Sequence, residues 1–154
     1  MGATRSCGDC GLCCKLLGVE ALAKPPHSWC AHFVRGQGCA VYADRPRACA
    51  DFSCYWLGQD ALDDSWRPDR CGFVLHLSDQ GRRMNVEVET SRPLAWRAEP
   101  YHATFRRWAA GGRARDLELT VWIGRRCWRI QPDRDVDLGL VRGRLQAPAP
   151  ALRP

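Results

Sequence analysis

The sequence predicts an α+β fold in which a cysteine-rich first half of short helices and loops packs on a small antiparallel sheet with one helix. Two observations support this fold class. Eight of the ten cysteines lie between Cys7 and Cys54, which sets this half apart in composition. Residues 71–145 instead carry alternating apolar patterns that are typical of strands, with one helical pattern among them. The chain of 154 residues has the usual size of one domain, so we expect a single domain over 1–145, with a cysteine cluster segment (7–57) and a sheet-forming segment (71–145).

The first predicted element is a helix over residues 10–17. It follows a Cys-x2-Cys turn, which brings two side chains to the same side of the chain. On such a helix Cys7, Cys10 and Cys14 lie near one face, while Cys13 points about a quarter-turn away. Adjacent cysteines cannot easily serve one tetrahedral ion, so one of this pair is expected to belong to a second centre.

A second short helix is predicted to begin within the Asp-Arg-Pro-Arg sequence of residues 44–47. Asp44 is placed to cap it, with Pro46 in the first turn, where no amide partner is needed. This helix would present Cys49, with Cys54 just past its end. Tyr42, which precedes the helix, is predicted to be a core aromatic.

The second half of the chain carries strand patterns and one helical pattern. Tyr101, Phe105 and Trp108 recur at helical spacing between residues 99 and 110, and Gly111-Gly112 is expected to stop that helix. Alternating apolar residues predict two hairpins and a last strand: 72–78 with 83–89, 117–123 with 127–130, and 137–141. The tail, residues 146–154, is rich in proline and alanine and is expected to be flexible.

The cysteine spacing predicts a metal site. No apolar run approaches the ~20 residues that span a bilayer, and the N-terminal residues lack a signal-peptide pattern, so a cytoplasmic protein without membrane contact is expected. Disulfides are kept reduced in the cytosol, and a dense group of thiols there usually binds metal. The alternative interpretation is a small domain held together by disulfides. It is not favoured, because a protein in the cytosol keeps its thiols reduced. The predicted metal ligands are Cys7, Cys10, Cys13, Cys14, Cys30, Cys39, Cys49 and Cys54.

The number of thiols leaves the identity of the metal open. Eight thiols match two tetrahedral four-thiolate zinc sites, or one iron–sulfur cluster with spare ligands. The expected cofactor is therefore Zn²⁺, as one or two ions, or alternatively iron or a [4Fe-4S] cluster. His27 and His32 flank Cys30 and are expected to be solvated or structural. Cys71 and Cys127 lie outside the cluster and are predicted to be buried apolar thiols.

The residues from 7 to 14, Cys-Gly-Asp-Cys-Gly-Leu-Cys-Cys, resemble the signature of the CxxCxxCC family, the YkgJ-family cysteine cluster proteins. Residues 38–49 are similar to that family's Cys-x-x-Tyr-x-x-Arg-Pro-x-x-Cys segment, and Phe52-Ser-Cys-Tyr-Trp56 follows it. The resemblance covers residues 7–57. It implies chelation of zinc or iron with no settled reaction, since the family is also labelled iron–sulfur protein or oxidoreductase.

The net charge of +6 resides in the second half of the chain. Residues 1–77 hold eight basic and eight acidic residues, whereas residues 78–154 hold fifteen arginines and nine acids. Arginines interleaved with Trp108, Trp122 and Trp128 suggest a second hypothesis, a zinc-stabilised RNA- or DNA-binding module. That hypothesis is not favoured, because tryptophans at this spacing more often belong to the core. A third hypothesis is an iron–sulfur electron-transfer or redox-sensing protein, since no other catalytic motif is present.

Overall fold

A computed structural model describes residues 5–142, in which short elements precede a larger sheet. The first half contains α1 (Leu12–Leu16), β1 (Phe33–Val34), β2 (Gly38–Cys39), α2 (Arg47–Asp51) and α3 (Pro68–Cys71). The second half contains β3 (Phe73–Ser78), β4 (Arg83–Val88), α4 (Tyr101–Gly112), β5 (Glu118–Ile123), β6 (Arg126–Ile130) and β7 (Asp135–Leu140). The α+β class is confirmed, and the expected tail at 146–154 lies outside the described residues. No helix in this part of the chain has the length and apolar character needed to cross a bilayer.

Strands β3 to β7 form a five-stranded sheet in chain order. The pairings β3–β4, β5–β6 and β6–β7 are antiparallel, but β4 and β5 are parallel, with Met84 opposite Leu119. The sheet was expected to be antiparallel, and this prediction is wrong for the β4–β5 pair. Helix α4 connects β4 to β5, and a helical crossover of this kind returns the chain so that the second strand runs parallel to the first.

The two hairpins predicted in the second half are confirmed. In the first hairpin Phe73 pairs with Val88, and in the second Leu119 pairs with Ile130. The last strand begins at Asp135, two residues before its predicted start, and pairs with β6. Period-two alternation is a local property of the chain, which is why these strands could be placed from the sequence.

Helix α4 ends at Gly112, within the pair of glycines that was expected to stop it, and a 3-10 turn over Arg113–Arg115 follows. A Cβ atom on Gly112 would lie 2.9 Å from the Cβ atom of Leu117. The glycine therefore allows the chain to pass close to the helix before it enters β5. The direction of the chain changes after the 3-10 turn, at Asp116, where φ is 54°, in the left-handed region.

The helix that was predicted to follow directly on Asp44 begins later, at Arg47. Asp44 ends a separate 3-10 turn over Tyr42–Asp44 and does not cap the helix. Arg45 and Pro46 are both extended, with ψ of 151° and 148°. The predicted cap is wrong because a residue before proline is driven to extended backbone, which separates the turn from the helix.

One hydrophobic core joins the two halves of the molecule. The ring of Trp66 lies 6.1 Å from Phe73 and 5.9 Å from Phe105, centroid to centroid, in edge-on contacts. It also stacks on Trp108 of α4 at 5.6 Å. Leu16 of α1 is 2% exposed and belongs to the same cluster. The cysteine-rich half is thereby packed on the sheet.

Candidate metal centre

A cavity of about 640 Å³ lies in the first half of the chain, between α1, the β1–β2 hairpin, α2 and the segment that follows α2. Its wall contains all eight cysteines of the cluster and neither of the two later ones. Folding therefore brings every predicted ligand to one cavity: Cys7, Cys10, Cys13, Cys14, Cys30, Cys39, Cys49 and Cys54.

The first two cysteines of the cavity lie in a tight turn before α1. The backbone N–H of Cys10 donates to the carbonyl oxygen of Cys7 at 3.0 Å. Gly11 follows with φ of 61°, and a side chain there would collide with the ring of Phe33. The helix predicted over 10–17 is therefore shorter, and only the adjacent pair of cysteines lies within it.

Of the next two cysteines, Cys30 lies just before β1 and Cys39 lies on β2. The N–H of Cys30 donates to the carbonyl oxygen of Cys14 at 3.1 Å, which ties the first arm to α1. Cys39 pairs with Phe33 across the hairpin, and the N–H of Phe33 donates to the carbonyl oxygen of Cys30 at 3.0 Å. Backbone contacts thereby fix the positions of both residues on the cavity wall.

The last two cysteines come from α2 and the segment after it, as the sequence predicts. Cys49 is the middle residue of α2, a helix that contains no buried residue. Cys54 precedes the 3-10 turn Tyr55–Gly58 and is only 6% exposed, within the hydrophobic core. The cavity therefore extends from the core to an exposed helix.

The eight cysteines of the cavity are free thiols. Within residues 5–142, no three His, Cys, Asp or Glu side chains converge closely enough to hold an ion as they stand. Burial is the main reason that the pKa values of Cys7, Cys10 and Cys49 are raised, and it raises the pKa of Cys54 to about 11. Since metal ligands are thiolates, an ion bound here would have to displace these protons.

The adjacent pair on α1 differs from the other thiols. The Cys13 thiol donates a hydrogen bond to the sulfur of Cys14, which is the main cause raising the pKa of Cys13 well above its ordinary value. The same hydrogen bond lowers the pKa of Cys14 to about 7, against the effect of burial and with help from the charge of Lys24. The Cys14 thiol therefore becomes a thiolate at a lower pH than an ordinary cysteine.

Lys24 is a buried cation on the cavity wall that the sequence did not single out. It is 8% exposed, and its Nζ donates to the carbonyl oxygens of Leu17 at 2.5 Å and Pro25 at 3.1 Å. No carboxylate among the described residues pairs with it, and burial lowers its pKa while the nearby thiols act in the opposite direction. The ammonium group is held by carbonyls, so its charge is available to offset thiolates.

Tyr42 and Arg45 lie together at the rim of the cavity. Tyr42 is 48% exposed, so the prediction that it is a core residue is wrong. Its 3-10 turn lies on the surface, and the Arg45 guanidinium stacks on its ring at 4.0 Å from the centroid. Burial and the charge of Cys14 raise the pKa of Cys7, while the charge of Arg45 and a side-chain hydrogen bond with Tyr42 lower it.

The two cysteines outside the cluster are buried, as predicted. Cys71 is 1% exposed and Cys127 is 2% exposed, and neither lines the cavity. Burial raises the pKa of Cys71 to about 12. Two histidines flank Cys30 in the sequence. His32 lies on the cavity wall and His27 does not.

The second half was the basis of the nucleic-acid hypothesis, and two of its tryptophans lie inside the fold. Trp122 is 9% exposed, and Trp108 stacks on Trp66 in the core. The guanidinium of Arg129 pairs with Glu118 at 2.5 Å. These two rings are not positioned to stack on unpaired bases, so they give the nucleic-acid hypothesis no support.

Comparison with protein-family models, with curated proteins and with solved structures gives no match to this chain. The resemblance to the CxxCxxCC family therefore depends on the quoted motifs alone. All the cysteines of those motifs lie on the cavity wall, together with most of the other motif residues.

Proposed function

We propose that this protein binds a thiophilic metal, zinc or iron, through the eight cysteines of the cavity, as the resemblance to the CxxCxxCC family implies. One observation carries the proposal. All eight cysteines line a single cavity of about 640 Å³, although they come from separate turns, strands and helices. Cys71 and Cys127, which share the same chemistry, are buried elsewhere. Thiols buried only for packing have no reason to be gathered in this way.

The chemistry of the donor set fits such a metal. Thiolates are preferred ligands of Zn²⁺ and of iron–sulfur clusters, and four of them complete a zinc site. Because the thiols do not converge as they stand, binding would require rotation of cysteine side chains and loss of their protons. Metal binding is therefore expected to order the first half of the chain and to depend on pH.

The charges around the cavity also suit an anionic centre. A Zn²⁺ ion with four thiolates has a net charge of about −2, which is costly in an apolar cavity without a counter-charge. Lys24 and Arg45 both line the cavity, and among residues 5–142 the only acidic residue on its wall is the exposed Glu20. These two cations would reduce the cost of forming thiolates.

An iron–sulfur cluster is the second candidate, because the eight thiols surround a volume rather than converge on one point. In a cluster the cysteine ligands are distributed over several iron atoms. Such a centre would supply electron transfer or redox sensing, whereas four-thiolate zinc is normally a closed structural site.

The test is to purify the full chain without oxygen, measure its metal content and record its optical spectrum. About two zinc ions per chain and no colour would identify zinc binding. Iron with acid-labile sulfide and a brown colour would identify a cluster. Replacing Cys14 and Cys39 together by serine should lower the metal content in either case.

The matched control is Cys127→Ala, which removes a buried thiol of β6 without altering the cavity wall. It should retain the full metal content. The proposal is refuted if the wild-type chain contains no metal after purification and if added zinc or iron leaves its unfolding transition unchanged.

A further inference from the structure

A second cavity, of about 520 Å³, lies at the end of the sheet where β4 and β5 begin and β6 ends. The turn that follows α4 completes its wall. Among the described residues it shares no lining residue with the metal cavity and contains no cysteine, so it offers a ligand a different chemistry. Its wall instead carries four arginines: Arg82, Arg83, Arg113 and Arg129.

Two of these arginines are fixed around one carboxylate by the register of the sheet. Arg83 lies opposite Glu118 in the parallel pair, and the N–H of Glu118 donates to the carbonyl oxygen of Arg82 at 2.8 Å. Arg83 Nη2 lies 3.0 Å from Glu118 Oε2, and Arg129 Nε lies 2.5 Å from Oε1. Arg83 also pairs with the carboxylate of Asp79 at 3.1 Å. These two acids are therefore already bound to Arg83 and Arg129.

The other two arginines of the wall form no ion pair within residues 5–142. Arg82 donates from Nε to the carbonyl oxygen of Asp79 at 3.3 Å, and Arg113 begins the 3-10 turn after α4. Both side chains are exposed. The third acid of the wall, Asp116, is exposed as well and forms no ion pair in the same range. Four arginines against three acids leave the described wall with an excess of positive charge.

The rest of the wall contains apolar side chains from the core. Ala109 is 5% exposed, Leu119 1% and Ile130 3%, and Leu117 and Pro132 lie beside them on the wall. Sites for small organic ligands combine apolar walls with a few charged groups, and they usually have volumes of about 300–1,000 Å³. The cavity has both properties.

We propose that this cavity binds a small organic molecule with a phosphate group, whose oxygens accept hydrogen bonds from Arg82 and Arg113 while its apolar part lies against the apolar wall. A guanidinium presents paired N–H donors that match phosphate oxygens, and two of them from separate segments suit a group with several acceptors. A nucleic-acid strand is not favoured, because the rings of Trp108 and Trp122 lie inside the fold and are not positioned to stack on its bases. This inference does not depend on metal binding.

Titration of the isotope-labelled full chain with phenyl phosphate, followed by the amide chemical shifts, tests the inference. At about 0.15 M salt we expect saturable shifts at the residues of the cavity wall. Phenyl phosphate should bind about tenfold more tightly than inorganic phosphate, because only phenyl phosphate has an apolar ring to bury. Benzoate, which has the same ring with a carboxylate, should bind more weakly than phenyl phosphate.

Arg113→Gln should weaken the binding of phenyl phosphate by about tenfold, because it removes a charged donor. Arg115→Gln is the matched control. Arg115 lies in the same 3-10 turn and is also exposed, but it does not line the cavity. It should therefore bind phenyl phosphate like the wild type.

Four results would overturn the inference. The first is the absence of saturable shifts at millimolar phenyl phosphate. The second is an equal effect of the two variants, which would mean that the anion responds only to the general positive charge. The third is binding of inorganic phosphate or benzoate as tight as that of phenyl phosphate. The fourth is tighter binding of a short oligouridylate that both variants weaken equally, which would indicate a nucleic-acid surface instead.

Discussion

Gly38 lies so close to the carbonyl oxygen of Gly8 that a side chain at position 38 would collide with it. The contact joins strand β2, which carries Cys39, to the turn that carries Cys7 and Cys10. Because Gly38 also has φ of 94°, only glycine fits both the backbone conformation and the space. This contact therefore decides how closely two of the cysteine segments approach each other.

Gly38→Ala is expected to destabilise the protein and reduce its zinc content. The collision with backbone should cost about 1–3 kcal/mol beyond the strain of the left-handed conformation. Gly36→Ala is the matched control, because Gly36 has φ of 78° and nothing within 4 Å of an added Cβ atom. Urea unfolding of both variants checks the prediction. Equal losses of stability would mean that the contact with Gly8 is unimportant.

Lys15→Met should weaken the attachment of α1 to the sheet. Lys15 Nζ donates to Glu89 Oε2 at 2.8 Å, and the Glu89 side chain is only 8% exposed. Removing the ammonium leaves a buried carboxylate without this partner, so we expect a loss of about 1–3 kcal/mol in the free energy of unfolding. Arg47→Met, at the exposed pair of Arg47 with Asp51, should cause little change. A similar effect of the two variants in urea unfolding would contradict this assignment.

The same ion pair predicts an effect of acid. Burial raises the pKa of Glu89, but hydrogen bonds from Lys15 and Ser91 outweigh burial and lower it below its ordinary value of 4.5. The pair therefore stabilises the folded state fully above that pH, and its contribution is lost as the pH falls through the lowered pKa. Unfolding measured between neutral and acidic pH should show a smaller difference between wild type and Lys15→Met at the acidic end. A difference independent of pH would contradict the prediction.

In the metal-free protein, Cys14 should already react with iodoacetamide near neutral pH. The hydrogen bond from Cys13 and the charge of Lys24 lower its pKa to about 7, and the reactive species is the thiolate. Mass spectrometry of alkylated peptides across a pH series measures the midpoint for each cysteine. Cys13→Ala should move the Cys14 midpoint upward, and Lys24→Met should do so to a smaller extent. A wild-type midpoint near the ordinary value of 9.0 would refute the prediction.

Asp135→Asn should loosen the last strand of the sheet without affecting metal. The Asp135 carboxylate, 7% exposed, accepts from His102 at 2.9 Å, Arg97 at 3.1 Å and Arg106 at 3.3 Å. Loss of its charge should destabilise the fold by about 2–4 kcal/mol, because three donors lose an anionic partner. Thermal unfolding and zinc content of the variant check both parts. A loss of zinc in a folded variant would contradict the separation of this cluster from the metal centre.

Local patterns predicted much of the second half. The β3–β4 and β5–β6 hairpins follow from alternation, which depends only on neighbouring residues. The pair of glycines also marked the end of α4 correctly, but the close approach of Gly112 to Leu117 was not predicted. A glycine can end a helix and can also allow another segment to pack closely against it. The second role depends on Leu117, which lies beyond the helix and is not indicated by the local pattern.

For the candidate site, the sequence by itself determined the donor chemistry: eight thiols in Cys-x2-Cys and related spacings, together with the turn and the short helices that carry them. Only the tertiary structure decided that all eight line one cavity, that Cys54 reaches the core and that Cys49 stays on an exposed helix. It also brought in Lys24, whose burial beside the thiols no local pattern marks. Residue type and periodicity are properties of neighbouring positions, whereas the meeting of distant side chains depends on how whole segments pack.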